Sequence, residues 1–364
     1  MKILILTAGF GEGHNSAARS VKLALEQVAP GAVDARMLDL FETCYGRVNE
    51  MAKKAYLGVI NNAPVIWEKI YDLLDTTKIL ELNLPAMWQL RKALADLLAQ
   101  EKPDAVVITY PVYNFLIEQI YQGAPPFAHI TIITDSITVN SVWYRAASDV
   151  FMVPNEDTAD VLRSVKVPDD KIRVLGFPVL PHFALNNGSR PGPGEVTPRV
   201  LYMINFGKRE APDLVRELLA IRGIELTITV GRDEELRARV DEVVRASGRD
   251  IEVFGWTPQL PDLLMRSHVL ISKAGGATTQ EAIAARTPMI ISQVVPGQEE
   301  GNAQLIVKRN CGVVAETHAD IVAAVGRAFA DDAALWREWQ ANITQLSRPA
   351  AALDIAKFIL ATEK

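Results

Sequence analysis

At 364 residues the chain exceeds what one ordinary core organises and is long enough for two domains that each bury a substantial apolar interior. Hydrophobic residues at 49% and charged residues at 23% exclude a disordered chain, and a net charge of -6 argues against general nucleic-acid binding, which needs clustered Lys and Arg. Cys44 and Cys311 suggest neither a disulfide framework nor a cysteine metal site, and no uncharged apolar run approaches a membrane span, so the chain reads as cytoplasmic.

Apolar runs of strand length alternate with amphipathic stretches of helical length, the pattern of parallel α/β units. The first half opens with a strand over residues 2–7, a loop holding Gly9, Gly11 and Gly13, and a helix from about residue 14 to 28. Further strands are expected at 33–38, 105–109, 129–134, 150–153 and 172–175. Residues 181–198 are rich in Asn, Gly and Pro and read as a linker. The opening pattern then repeats: a strand at 200–204, a turn at Asn205-Phe206-Gly207-Lys208 and a helix over 212–221. Strands at 226–230, 251–254, 269–271, 289–291 and 313–314 follow. The expected fold is α/β, two Rossmann-like domains with parallel sheets facing a central cleft. The N-terminal domain is placed at 1–180 and the C-terminal domain at 199–346.

Ligands of open α/β sheets gather at the carboxyl ends of strands, where glycine lets the backbone approach and a helix N-terminus offers unpaired N–H groups. Gly11 and Gly13 occupy such a place. Their spacing differs from the dinucleotide fingerprint, although Asp39 after the second strand could mimic a ribose-binding acid. His14 stands where the helix starts, and the positive end of the helix dipole favours its neutral, proton-accepting form. It is a candidate general base, or a solvent-facing residue at a helix start.

The segment Ser272-Lys273-Ala274-Gly275-Gly276-Ala277-Thr278-Thr279-Gln280-Glu281 follows a strand and enters a helix, presenting small residues and amides where a phosphate would dock. Glu281, one turn into that helix, is placed to reach ribose hydroxyls. After the next strand, Val295-Pro296-Gly297-Gln298-Glu299-Glu300-Gly301-Asn302 is dense in groups that bind sugar hydroxyls. Helix packing for the glycines and an exposed acidic turn are the plainer readings of each segment alone.

Three segments carry a resemblance: Gly-Phe-Gly-Glu-Gly-His-Asn-Ser-Ala-Ala-Arg-Ser from Gly9, Lys-Ala-Gly-Gly-Ala-Thr-Thr-Gln-Glu-Ala from Lys273, and Pro-Gly-Gln-Glu-Glu-Gly-Asn from Pro296. Together, and in this order, they resemble the monogalactosyldiacylglycerol synthase and processive diacylglycerol glucosyltransferase family, related to the MurG-type transferases. The resemblance implies a GT-B fold, a UDP-sugar donor held mainly by the second domain, a lipid acceptor such as diacylglycerol held mainly by the first, and inversion at the anomeric carbon. It implies His14 as base and Glu281 as ribose ligand. Gln298, Glu299 and Asn302 become donor-sugar contacts, Gly275 and Gly276 diphosphate contacts, and Phe254-Gly255-Trp256 the wall of the uracil site. Trp256 could instead be packing between domains. A final helix within 347–364 is expected to return to the first domain.

Two departures stand out. Asn205-Phe206-Gly207-Lys208-Arg209 replaces a glycine-richer turn, with Lys208 a candidate phosphate neutraliser, and Asn140 stands where the family has a histidine after Thr134-Asp135. Asp135 is a candidate for orienting His14 or binding the acceptor, or caps a helix. No metal ligand set and no cofactor beyond the UDP-sugar cosubstrate are expected. The stretch 47–92 mixes aromatic, apolar and basic residues, including Met51, Trp67 and Trp88, and is expected mainly to pack with a subset meeting lipid at the membrane surface, a peripheral contact. A UDP-sugar epimerase or hydrolase, a dehydrogenase, and a nonenzymatic binding protein are the competing readings.

Overall fold

The computed structural model describes residues 1–62, 87–185, 190–297 and 299–362, with the side chains of 53–62 outside that set. Gln298 and most of the expected lipid-facing stretch, Trp67 included, lie outside the described residues. The chain forms two compact units. One comprises Met1–Pro181, Val295–Gly301 and Ala350–Lys364; the other comprises His182–Val294 and Asn302–Pro349.

The first unit holds a six-stranded sheet in the order β2-β1-β3-β4-β5-β6. Its strands are β1 (Lys2–Leu6), β2 (Asp34–Leu38), β3 (Ala105–Ile108), β4 (Ala128–Ile132), β5 (Val150–Val153) and β6 (Ile172–Val174), all paired in parallel. Helices α1 (Glu12–Val28), α2 (Leu40–Asn62), α3 (Trp88–Glu101), α4 (Val112–Tyr121) and α5 (Glu156–Ser164) connect them. Strand residues alternate between two cores, as a pleated backbone dictates. Ile3, Ile5, Val107 and Ile130 share one with α1, whereas Leu4, Leu6, Val106 and Ile108 share the other with Leu90, Leu94 and Leu98 of α3.

The second unit starts with α6 (His182–Leu185) and repeats the plan with β7 (Arg199–Met203), β8 (Glu225–Thr229), β9 (Glu252–Phe254), β10 (Val269–Lys273), β11 (Met289–Gln293) and β12 (Gly312–Val314), ordered β12-β11-β10-β7-β8-β9 and again wholly parallel. Its helices are α7 (Ala211–Ala220), α8 (Glu234–Ser247), α9 (Leu260–Arg266), α10 (Gly276–Ala284), α11 (Glu300–Lys308, in this unit from Asn302 on) and α12 (His318–Leu346). The last helix, α13 (Ala351–Ala361), packs on α1, and Ala352, Ile355, Ala356 and Ile359 complete the first of the two cores just described.

Arg190 lies in the stretch read as a linker, yet its guanidinium is fastened to the second unit. It donates to Thr287 Oγ1 at 3.0 Å, to the Ala285 carbonyl at 2.9 Å and to the Arg286 carbonyl. A cation on the carbonyls just past the end of α10 complements the negative end of that helix.

In each sheet the strand order reverses once, between β1 and β3 and between β7 and β10. Loops leaving the strands at such a switch point bind ligands in open α/β sheets. Gly9 to Gly13 leave β1, Thr109 and Tyr110 leave β3, the Asn205 turn leaves β7, and Ala274 and Gly275 leave β10. Gly11, Gly13, Lys208, Gly275, Gly276, Ala277 and Thr278 lie on or next to these loops, whereas Asp135 follows β4, Phe254 and Trp256 lie at and after β9, and Glu299 and Asn302 follow β11.

Candidate active site

In the first unit Gly11 caps α1 at φ 101°, a left-handed conformation that only glycine adopts without strain. Glu12 begins the helix, so His14 is its third residue. The His14 ring is half-buried, with Nδ1 hydrogen-bonded to Thr134 Oγ1 at 2.9 Å, and it meets Tyr110 edge-on at 5.2 Å and Trp143 at 5.9 Å. Removal from water pushes its pKa down from 6.5 to about 4, against a hydrogen bond with the Thr109 backbone that raises it. The imidazole is neutral at physiological pH.

Asp135 stands beside this group but is held by other partners. Its Oδ2 accepts from Trp143 Nε1 at 2.7 Å, and the Asn140 backbone also bonds it. Burial raises its pKa from 3.8 to about 6, with those two hydrogen bonds pulling the other way. Asn140, at the position of the expected histidine, accepts from Val142 N at 3.1 Å and caps the short 3-10 helix Ser141–Trp143. Asp39 accepts from Gly9 N on one oxygen and from Glu42 N on the other, tying the glycine loop to the start of α2. Those bonds account for Asp39 structurally. Phe10, Phe41 and Tyr110, all half-buried, interlock at 5.6 to 5.9 Å between ring centroids, an apolar surface that reaches the His14 ring through Tyr110.

The Val295–Gly301 segment belongs to the same unit. Glu299 is buried and its Oε2 accepts from Val295 N at 3.2 Å, closing the loop on itself. Gly301 rests on a tight turn at residues 136–138, where Thr138 N donates to the Ser136 carbonyl at 2.6 Å and Ile137 has φ 59°. A β-branched residue there is strained, and such strain concentrates at functional sites. A Cβ on Gly301 would collide with the Ser136 carbonyl oxygen. Gly301→Ala is expected to destabilise the fold by about 1–3 kcal/mol, because the segment must lift off this turn to make room for the methyl group. Thermal unfolding of the variant beside wild type checks this.

In the second unit Gly275 caps α10 without a capping side chain, so the N–H groups of Gly276, Ala277 and Thr278 open the helix with its positive dipole end. Two buried polar atoms near this turn lack a hydrogen-bond partner, Thr279 Oγ1 and Asn302 Oδ1. Asn302 is 4% exposed and its Nδ2 donates to the Ala274 carbonyl at 3.0 Å. An orphaned buried acceptor is costly unless a ligand satisfies it. Glu281 lies half-buried further along α10. Lys208 is bound to Asp233, Nζ to Oδ2 at 2.8 Å, and this contact leads the causes that hold the Asp233 carboxyl below its usual range. Phe254 ends β9, and Trp256 is 63% exposed with the Arg232 guanidinium 5.2 Å from its ring centroid. Among the described residues no group of three His, Cys, Asp or Glu side chains is placed to hold a metal ion.

Residues 14–179 match the family model for monogalactosyldiacylglycerol synthase, and residues 209–329 match that for the glycosyltransferase family 28 C-terminal domain. Between them the two matches fall in both halves of the chain, which is a sugar-transferring enzyme similar to these glycosyltransferase families. The transferase is 27% identical to a processive diacylglycerol beta-glucosyltransferase of Bacillus mycoides (strain KBAB4) and 26% identical to one of Bacillus cereus (strain B4264), in each case over 99% of its own length and 93% of the relative's. Among solved structures it is similar to MurG of Acinetobacter baumannii, at TM-score 0.63 and 14% identity over 99% of both chains. It is also similar to the UDP-GlcNAc 2-epimerase of Neisseria meningitidis bound to UDP-GlcNAc, at TM-score 0.62 and 13% identity over 100% of both. At such identities the likeness shows the GT-B fold alone.

Sequence reasoning missed the contacts that Thr134 and Tyr110 make with His14. Thr134 sits 120 residues from its partner His14. Its only signal was a place just past β4, next to an acid already singled out.

Proposed function

We propose that the transferase moves a hexose from a UDP-sugar to a lipid hydroxyl such as that of diacylglycerol, with inversion at the anomeric carbon and His14 as general base. The observation that carries this reading is a neutral imidazole, oriented by Thr134 and bordered by half-buried aromatic rings. The acceptor oxygen attacks the anomeric carbon and gives its proton to His14 as the bond to the UDP oxygen breaks. Nearby negative charge favours the imidazolium, so an anionic donor strengthens this weak base. Asp135, ionised at neutral pH, adds to that effect.

The second unit holds the UDP moiety of the donor. The N-terminus of α10, from Gly275 through Thr278, receives the diphosphate and stabilises the departing UDP. Lys208 exchanges Asp233 for phosphate, Glu281 takes the ribose, and Phe254 and Trp256 flank the uracil. Gln298, Glu299 and Asn302 bind the donor hexose, and the two orphaned oxygens support a ligand rich in hydroxyl donors. The names of the relatives support a diacylglycerol acceptor. Among the described residues no helix is long and apolar enough to cross a membrane. Val48 and Met51 of α2 and Trp88 of α3 expose large apolar side chains, Met51 at 71%, which supports peripheral contact with a lipid surface.

Inversion is tested by the anomeric configuration of the product: an α-linked UDP-sugar must give a β-glycoside in its NMR spectrum, and an α-glycoside would remove the single-displacement scheme. The pH dependence follows from the two shifted groups. The Asp135 pKa is raised, so its charge is lost as pH falls through about 6, whereas His14 stays neutral until about 4. The acid limb of kcat/KM is therefore expected near pH 6 and should move toward 4 in Asp135→Asn. A limb that stays near 6 in the variant would assign it to another group.

A further inference from the structure

We infer that Asn205 is a positioning residue for the donor diphosphate, acting through the turn that leads into α10; the inference rests on the donor reading of that turn. Strands β7 and β10 pair through three registered positions, ending at Ile271 opposite Tyr202. Beyond that rung the neighbouring ladder also slips, with a register shift between Ser272 and Lys273 where β10 pairs β11. A chain leaving a sheet through such an irregularity needs its backbone groups satisfied from elsewhere, and its direction depends on what satisfies them.

The Asn205 side chain supplies this. Lys273 N donates to its Oδ1 at 3.3 Å, and its Nδ2 donates to Ser272 Oγ at 2.9 Å. Ser272 Oγ in turn donates to the Lys273 carbonyl at 3.1 Å. The carboxamide acts as one further peptide unit, extending the contact of β7 with β10 past the last backbone rung. From the other side, Ala274 N donates to the Gln293 carbonyl and the Ala274 carbonyl accepts from Asn302. The two residues before Gly275 are thus braced from both flanking strands, which fixes where the first N–H groups of α10 point. A glycine at 205 would leave the Lys273 N–H and the Ser272 hydroxyl without these partners. The turn after β7 in this chain therefore serves the phosphate site through an amide side chain.

The test compares wild type, Asn205→Ala and Asn205→Asp by calorimetric titration with UDP and with uridine, alongside thermal unfolding and amide hydrogen exchange. Asn205→Asp keeps the acceptor for Lys273 N but loses the donor and adds negative charge beside the phosphates. UDP affinity is expected to fall about tenfold in Asn205→Ala and further in Asn205→Asp. Uridine affinity should stay within about twofold in both, and exchange at the Lys273 amide should quicken in Asn205→Ala. Equal losses for UDP and uridine, or UDP affinity unchanged in Asn205→Ala, would overturn the inference. Failure of the wild type to bind UDP would instead overturn the donor reading on which it stands.

Discussion

His14→Ala is expected to reduce sugar transfer by about 10²–10⁴-fold, the usual contribution of a positioned general base, while UDP affinity stays within about twofold. The side chain lies in the first unit and touches Thr134, Tyr110 and Trp143, none of which belongs to the donor-holding turn. His14→Gln keeps a hydrogen bond to Thr134 but supplies no comparable base, so it should be as inactive as Ala. Rapid-quench measurement of product formation under saturating donor separates the chemical step from binding. Transfer by His14→Gln near the wild-type rate would mean that the imidazole only organises the loop.

Ala277→Asp is expected to separate stability from binding. Residue 277 lies in the first turn of α10, where a carboxylate complements the helix dipole and stabilises the fold by about 0.3–1 kcal/mol. The same carboxylate meets the diphosphate as a like charge, at a cost of several kcal/mol, so UDP affinity should fall more than about 100-fold. A thermal melt at or slightly above that of wild type, together with lost UDP binding in calorimetry, is the expected pair of results. A variant that binds UDP normally would remove the N-terminus of α10 from the donor site.

The alternation of apolar strands with amphipathic stretches was enough to read both parallel sheets from the sequence. Side chains of a strand such as Ala105–Ile108 are buried throughout, so its run stays apolar without interruption, and in Ala128–Ile132 only His129 and Thr131 break the pattern. The glycine loops were legible for a related reason: Gly11 has a positive φ that other residues reach only with strain, and its place after a strand follows from the βα pattern. What side chains do to each other across the sheet was not legible. Asp135 belongs to the Trp143 indole because a 3-10 turn brings residue 143 back over it, and Lys208 belongs to Asp233 because the loops after β7 and β8 are neighbours. Neither pairing has a sequence signal, since the first depends on the path of one loop and the second on which strands are adjacent. Asn205 read as a departure from a glycine-rich turn, and the pairing of its amide with β10 shows only where the β7–β10 ladder ends.

The most direct measurement is UDP release by the purified transferase from a panel of UDP-sugars, with and without diacylglycerol vesicles. The account predicts release that requires both one UDP-hexose and the lipid, with a glycosyl-diacylglycerol formed in equal amount. Release that proceeds equally well without lipid would make the protein a hydrolase, and the proposed acceptor and the role of His14 as its base would both be wrong.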